Sequence, residues 1–165
     1  MNKELVLDQL KAWHQKLSQF FEQSFVKNQS LMKCASGCDQ CCRVERSVFS
    51  VEAELIRRHI KQYPLSPRAE NPAGICAFLD NGQCTIYEVR PSICRTHGLV
   101  IQQEDGISHC ELNFEKTLPD KSDWLSGKTS DTVISTLQIA YEKLGEGQSR
   151  IELRNLWCEL TKEAN

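Results

Sequence analysis

Leu10, Trp13, Leu17, Phe20, Phe21 and Phe25 recur at spacings of three and four, with Lys11, Gln15, Glu22 and Gln23 between them. Such a period places the apolar set on one face of a helix. With no Gly or Pro in the stretch, one long amphipathic helix is expected over 3–31, its aromatics packing in the core. A second helix is expected over about 51–62, with Ser50 as its N-cap, Glu52 in its first turn and Leu55, Ile56 and Ile60 on its apolar side. Pro64 and Pro67 end it. Periodicity returns near Ser130, where Val133, Leu137, Ala140, Tyr141 and Leu144 form a stripe before Gly145, a residue suited to a left-handed cap. Ser149 and Glu152 then have capping-box spacing ahead of Leu153, Leu156, Trp157 and Leu160.

Residues 64–119 behave differently. They hold all five prolines of the chain and half of its eight glycines, and show no sustained period. Short strands fit around 84–87 and 98–102. A structureless stretch of this length is unusual in a compact domain, so something besides apolar burial must order it. The expected fold is mainly α: a long N-terminal helix and C-terminal helices around an irregular cysteine-rich metal-binding centre, with little or no short strand. The expected organisation is a single domain over 1–165, with a core at 33–114 and helical extensions at 1–32 and 119–165 packing on it.

Composition changes the picture at one point. Apolar residues make up 40% of the 165 and the formal charge is −2, both ordinary, so bulk charge gives no reason to expect nucleic acid or a membrane surface as partner. No apolar run approaches the ~20 residues of a membrane-spanning helix. The start, Met1-Asn2-Lys3-Glu4-Leu5, does not read as a secretory signal. The cytoplasm is the expected location. The N-terminal helix is long and apolar enough for a protein partner or a dimer contact, although core packing explains it equally well.

Nine cysteines are the exception. Four fall within nine residues, Cys34-Ala-Ser-Gly-Cys38-Asp-Gln-Cys41-Cys42, and Cys76, Cys84, Cys94 and Cys110 follow. The number is odd, and disulfides closing such short loops are strained. In a reducing compartment, dense thiols point to metal. Thiolates are soft, charged ligands that suit zinc and iron–sulfur clusters, [4Fe–4S] included. Whether as a turn around Gly37 or as a helix, the first four cysteines converge. Adjacent residues project in different directions, so Cys41 and Cys42 are expected to serve two centres, or two metals of one cluster. Lys33, Arg43, Arg46, Arg90 and Arg95 lie near cysteines in sequence, where they could offset thiolate charge or donate to sulfur, or could be solvated surface cations. His97 and His109 border the same region. Either could ligate, with supporting or surface roles the better reading. Cys158, between Trp157 and Leu160, reads as a buried, inert thiol.

Cys34-x3-Cys38-x2-Cys41-Cys42, Cys76-Ala-Phe-Leu, Cys84-Thr-Ile-Tyr-Glu-Val-Arg-Pro-Ser-Ile-Cys94-Arg and Cys110-Glu-Leu-Asn-Phe occur in that order. Together they resemble the zinc- or iron-chelating cysteine-cluster family, the YkgJ type, over roughly residues 33–114. The resemblance implies metal chelation by Cys34, Cys38, Cys41, Cys42, Cys76, Cys84, Cys94 and Cys110. Arg90, Pro91 and Arg95 match its non-cysteine positions. The chain departs from the family label in its first spacing, three residues rather than two. The cysteine-cluster domain is also similar to part of the flagellin lysine methylases, which makes an iron–sulfur enzyme the alternative to a binding protein. The Cys34-x3-Cys38-x2-Cys41 spacing is shared with radical S-adenosylmethionine enzymes. Residue 40 is Gln, however, where those carry an aromatic, and no alternating strands and helices accompany it. Neither G-x-G-x-x-G nor G-x-x-x-x-G-K occurs.

Overall fold

A computed structural model describes residues 2–145, 147 and 149–162. In chain order the elements are α1 (Lys3–Lys27), β1 (Ser47–Phe49), α2 (Ser50–Gln62), β2 (Leu79–Asp80), β3 (Gln83–Cys84), α3 (Ser92–Thr96), β4 (Ile101–Gln103), β5 (Gly106–Ser108), β6 (Leu125–Ser126), α4 (Gly127–Glu142), β7 (Arg150–Glu152) and α5 (Leu153–Lys162). Helix, 3-10 turns included, takes 49% of the described residues and strand 11%, so the mainly α expectation holds at that level. The expectation of little or no strand is corrected: β1 pairs antiparallel with β7, β2 with β3, and β4 lies between an antiparallel β5 and a parallel β6. The short strands expected around 84–87 and 98–102 overlap β3 at Cys84 and β4 at residues 101–102, while the others, two or three residues long, are too short to leave a period-two pattern.

Apolar burial gathers in three places. Val6, Leu7 and Leu10 of α1 meet Val51 and Leu55 of α2 and Ile134, Leu137 and Tyr141 of α4. The other side of α2, Ala53, Ile56 and Ile60, packs on Leu153, Leu156, Trp157 and Leu160 of α5 and on Phe78 and Ile86 around the β2–β3 hairpin. The expected single apolar side of α2 is therefore two faces, and the helix is a spine between two cores. A smaller cluster, Met32, Val100 and Phe114, sits beyond the end of α1.

Several local expectations shift. The helix α1 stops at the Asn28 cap, whose side chain bonds the Ser24 carbonyl at 2.9 Å. Its buried residues are Val6, Leu7, Leu10, His14, Leu17 and Ser24, while Trp13, Phe20, Phe21 and Phe25 are only half-buried. Ser50 is not the cap of α2 but its first residue, and the buried first-turn amide of Val51 is satisfied by Gln138 Oε1 from α4 at 3.0 Å. The Ser149–Glu152 capping box does not form, because Glu152 is in β7 opposite Ser47 and α5 begins at Leu153. Ser126 caps α4 by accepting from Thr129 N at 3.2 Å, so that helix starts three residues before Ser130. Gly145 has the positive φ expected of it, +77°. No helix among the described residues is long and apolar enough to cross a membrane.

Hydrogen bonds hold much of the coil between α2 and α4. Arg154 of α5 donates to the carbonyls of Asn71, Pro72 and Ile75 at 2.7, 3.1 and 2.9 Å. Asn71 donates to the Cys76 and Leu79 carbonyls at 2.8 and 2.7 Å. The β2–β3 turn is Asn81-Gly82, both with positive φ, the two-residue hairpin connection whose twist suits the strands.

Candidate metal centre

One cavity of about 570 Å³ opens between the last turns of α1, the β2–β3 hairpin and α3. Each of the eight expected cysteines lines it. Cys34 and Cys38 come from the loop after α1, Cys41 and Cys42 from a 3-10 turn over Gln40–Cys42, Cys84 from β3 and Cys94 from α3. Cys76 precedes β2, and Cys110 follows β5. Cys42, Cys76 and Cys110 are buried and Cys38 is exposed. The two cysteine groups are tied directly, Cys76 N donating to Cys42 O at 2.7 Å. None of the nine cysteines is in a disulfide.

Cys158 stands apart. It is half-buried on α5 rather than fully enclosed, and its Sγ lies 3.8 Å from Glu70 Oε2.

The adjacent pair behaves differently from the expectation of divergent side chains. Neighbouring Cα–Cβ vectors on a 3-10 turn diverge by about 120°, yet the two short arms swing together and the sulfurs sit 4.0 Å apart. Two sulfurs on one tetrahedral zinc are about 3.8 Å apart when each Zn–S bond is about 2.3 Å. Adjacency therefore does not prevent Cys41 and Cys42 from facing one ion.

Among the described residues no group of three or more Cys, His, Asp or Glu side chains is drawn in tightly enough to hold an ion as it stands. Burial pushes Cys94 up to about 12, and it also raises Cys34 and Cys76. For Cys42 the bond with Cys41 pulls downward, but the contact with Cys84 and burial outweigh it and the thiol is pushed up to about 12. Cys41 is raised by its bond with Cys42 and by burial. Cys84 moves the other way, held down by the hydrogen bond from Cys42. Cys34, Cys41, Cys42, Cys76 and Cys94, all raised, are neutral thiols at neutral pH, and ligation requires their protons to leave.

The donor set fits a soft metal. Eight sulfurs share one wall, and polar atoms are aimed among them. Asn113, fully buried, donates to Cys34 Sγ at 3.3 Å and to the Gly98 carbonyl at 2.8 Å, and its Oδ1 accepts from Lys33 N at 2.7 Å. One side chain thus ties the first cysteine segment, α3's exit and the Cys110 tail. Hydrogen bonds to ligand sulfurs are the usual support of thiolate centres.

Of the five cations near cysteines in sequence, Lys33, Arg46, Arg90 and Arg95 line the cavity. Arg43 turns away to pair with Asp39 at 2.9 Å. His97 lines the cavity, whereas His109 is exposed and its Nδ1 meets the carbonyl of Cys110 at 2.9 Å. Sequence reasoning missed the part played by Phe21 and Phe25, which wall the cavity, and it missed Asn113 and Gly98.

Gly98 is there for contact. Its φ is +105°, and a Cβ would lie 2.7 Å from Cys34 Sγ and 3.2 Å from Asn113 Nδ2. Gly98→Ala is expected to push Cys34 out of the cavity and break the Asn113 clamp. Titration with zinc against a chelator should then show affinity weakened by about tenfold or more, with the melting of the α1–α2–α4 core little changed. Wild-type affinity in this variant would show that Cys34 is not held by this packing.

Neither a curated protein nor a solved structure matches the chain. A family signature does, over residues 33–117, just over half the length: that of the CxxCxxCC family, described as "Putative zinc- or iron-chelating domain". The match takes in all eight cysteines that line the cavity, and the chain is a member of the CxxCxxCC family.

Proposed function

We propose that the chain holds a polynuclear metal–thiolate centre, zinc or an iron–sulfur cluster such as [4Fe–4S], with Cys34, Cys38, Cys41, Cys42, Cys76, Cys84, Cys94 and Cys110 as its ligands. One observation carries this reading: eight thiols from four separate segments line one cavity, and the ninth does not. A tetrahedral zinc uses four thiolates, so eight serve more than one metal atom. When bound, zinc would supply cross-links between the segments, and a cluster would supply electron transfer as well. The chain's own residues enclose the sulfurs with Phe21, Phe25, Leu79 and Ile86, and donate to them through Asn113. The unpaired thiols agree with a cytoplasmic protein. On this reading residues 33–114 are the centre of a single domain, and the flanking helices are its support.

A second reading is an iron–sulfur enzyme of the kind the flagellin lysine methylase resemblance implies, in methyl or electron transfer. It is favoured by apolar space beside the sulfurs, where the cavity reaches Phe25 and Leu112.

Anaerobic purification with metal and sulfide analysis and a visible spectrum tests the proposal. About two or more metal atoms per chain are expected. A colourless protein with zinc makes the centre structural. A brown one with iron and sulfide, bleached by reduction or oxygen, makes redox chemistry the next question. Because raised thiols must lose protons to ligate, apparent affinity should climb as pH rises from 6 to 9. Native material without stoichiometric metal, its thiols joined in pairs, would end the proposal.

A further inference from the structure

Three of the arginines near the cysteines already have partners. Arg43 pairs with Asp39. Arg95 donates to the carbonyls of Arg90 and Glu88 at 2.8 and 2.6 Å and to Ser18 Oγ at 2.8 Å. Arg90 lies over the Tyr87 ring, 3.8 Å from its centroid, and donates to the Tyr87 carbonyl at 2.8 Å.

Arg46 is different. Its Nε is buried and has no hydrogen-bond partner among the described residues, while its Nη2 lies 3.4 Å from His97 Nδ1. A guanidinium can only donate, so Nδ1 accepts, and a neutral imidazole that accepts at one nitrogen carries its proton on the other. That other nitrogen, Nε2, is also buried and also without a partner. Both residues line the thiol cavity. Two buried N–H groups on residues of its lining therefore have nothing to receive them among the described residues. Buried donors are rarely left so, and what they need is an acceptor, preferably an anion.

We infer that Arg46 Nε–H and His97 Nε2–H form a paired donor for an anionic sulfur of the metal centre, thiolate or sulfide. The inference rests on the metal–thiolate reading above. It gives His97 a role other than ligand, since Nε2 carries a proton in this arrangement. It also selects Arg46 among the nearby cations as the one that offsets the charge of the centre.

Cobalt(II) is the probe, because its sulfur-to-metal charge-transfer bands report the ligand sulfurs directly. Arg46→Met and His97→Phe are each expected to weaken metal affinity by about 10–100-fold, the usual cost of losing an outer partner of a ligand, and to shift those bands. Arg46→Lys keeps the charge without the Nε–H, and should recover part of the affinity but not the band position. Arg43→Gln removes a neighbouring cation that faces Asp39 instead, and should change neither. Should Arg46→Met fold poorly, Arg46→Lys and His97→Gln carry the same comparison. If the wild-type chain loads cobalt and both cavity variants load it with equal affinity and unshifted bands, this inference fails while the metal reading stands. If the wild-type chain takes up no metal, both fail. If added azide shifts the wild-type bands saturably but not those of Arg46→Met, the pair seats an anion from solution, and its assignment to the sulfurs is overturned.

Discussion

Removing metal from the native chain under reducing, oxygen-free conditions is expected to open the cysteine-bearing segments around Cys34–Cys42 and Cys94–Cys110 to protease while α1, α2 and α4 stay folded. The reason lies in where apolar burial is and is not. Eight buried residues join α1, α2 and α4, and none of that packing depends on a thiol. Around the end of α1 only Met32, Val100 and Phe114 are fully buried together, at roughly 2 kcal/mol each. Fixing one residue's backbone costs about 1–2 kcal/mol, so those three side chains cannot order the loops that carry Cys34, Cys38 and Cys110. A thiolate-bound zinc contributes on the order of 10 kcal/mol or more, and outweighs them. The Arg154 and Asn71 clamps should keep residues 70–79 partly protected. Hydrogen exchange should therefore rise first around Cys34–Cys42 and Cys94–Cys110, with little loss of helical circular dichroism. Cys38→Ser and Cys84→Ser should reproduce the effect, and Cys158→Ser should not, since its thiol meets Glu70 outside the cavity. Unchanged protease resistance after complete metal removal would falsify the idea that sulfur–metal bonds hold this region.

Much of the site was legible because thiols are rare and their spacing is local. Four separated segments, each recognisable by its cysteines, meet at one cavity. What holds those segments was less legible. Asn113 stood in plain view in the Cys110-Glu-Leu-Asn-Phe tail, but nothing in a sequence says that an Asn is fully buried or that it reaches Cys34, 79 positions away. Nearness in sequence could not rank Arg46 above Arg43, because side-chain direction decides between cavity and solvent. The helical period of α1 did mark an apolar face. It could not show that the same stripe passes from a core at Leu10 and Leu17 to a cavity wall at Phe21 and Phe25. That follows from the length of the helix, about 1.5 Å per residue, which carries its last turns past the core. The β2–β3 hairpin carried a usable signal in Asn81-Gly82, masked by the lack of apolar alternation beside it. Ser50 and Ser149 looked like caps and were not. Gln138 and the β1–β7 pairing satisfied those backbone groups from a distance, and long-range partners leave no local trace.

Glu52 is the plainest case of a role hidden from the sequence, and its removal should be the most damaging single change outside the thiols. A first-turn glutamate reads as a solvated partner of the helix dipole. Here it is 3% exposed, beside the equally buried His14 of α1. Its Oε1 lies 3.3 Å from His14 Nε2 and accepts from Ser92 N, the first amide of α3, at 2.7 Å. One carboxylate thus joins α1, α2 and the helix that carries Cys94. Glu52→Ala would leave a buried imidazole and a buried amide unpartnered, at a cost of about 3–5 kcal/mol. Glu52→Gln keeps both acceptor contacts and should cost less. The metal affinity of Glu52→Ala should fall with its stability, because α3 loses its anchor. Acid should act through the same pair. Burial opposes the Glu52 charge, but the bonds from His14 and Ser92 win, and its carboxyl is held below its ordinary 4.5. Burial dominates at His14, which is held below its ordinary 6.5 although Glu52 pulls it up. In both cases the unfolded chain binds the proton more readily, so stability present at high pH is lost on acidification. His14 contributes its share above pH 6.5, and loses it as pH falls from there through its lowered value. Glu52 contributes above pH 4.5, and loses its share below that. Urea midpoints measured from pH 7.5 to 4 should fall in the wild-type chain, beginning near 6.5. In His14→Gln the upper step should shrink to the share of His97, which burial also holds below 6.5, while the lower one remains. A midpoint flat in pH, or a Glu52→Ala chain as stable as wild type, would show that this contact is not the joint between the helices.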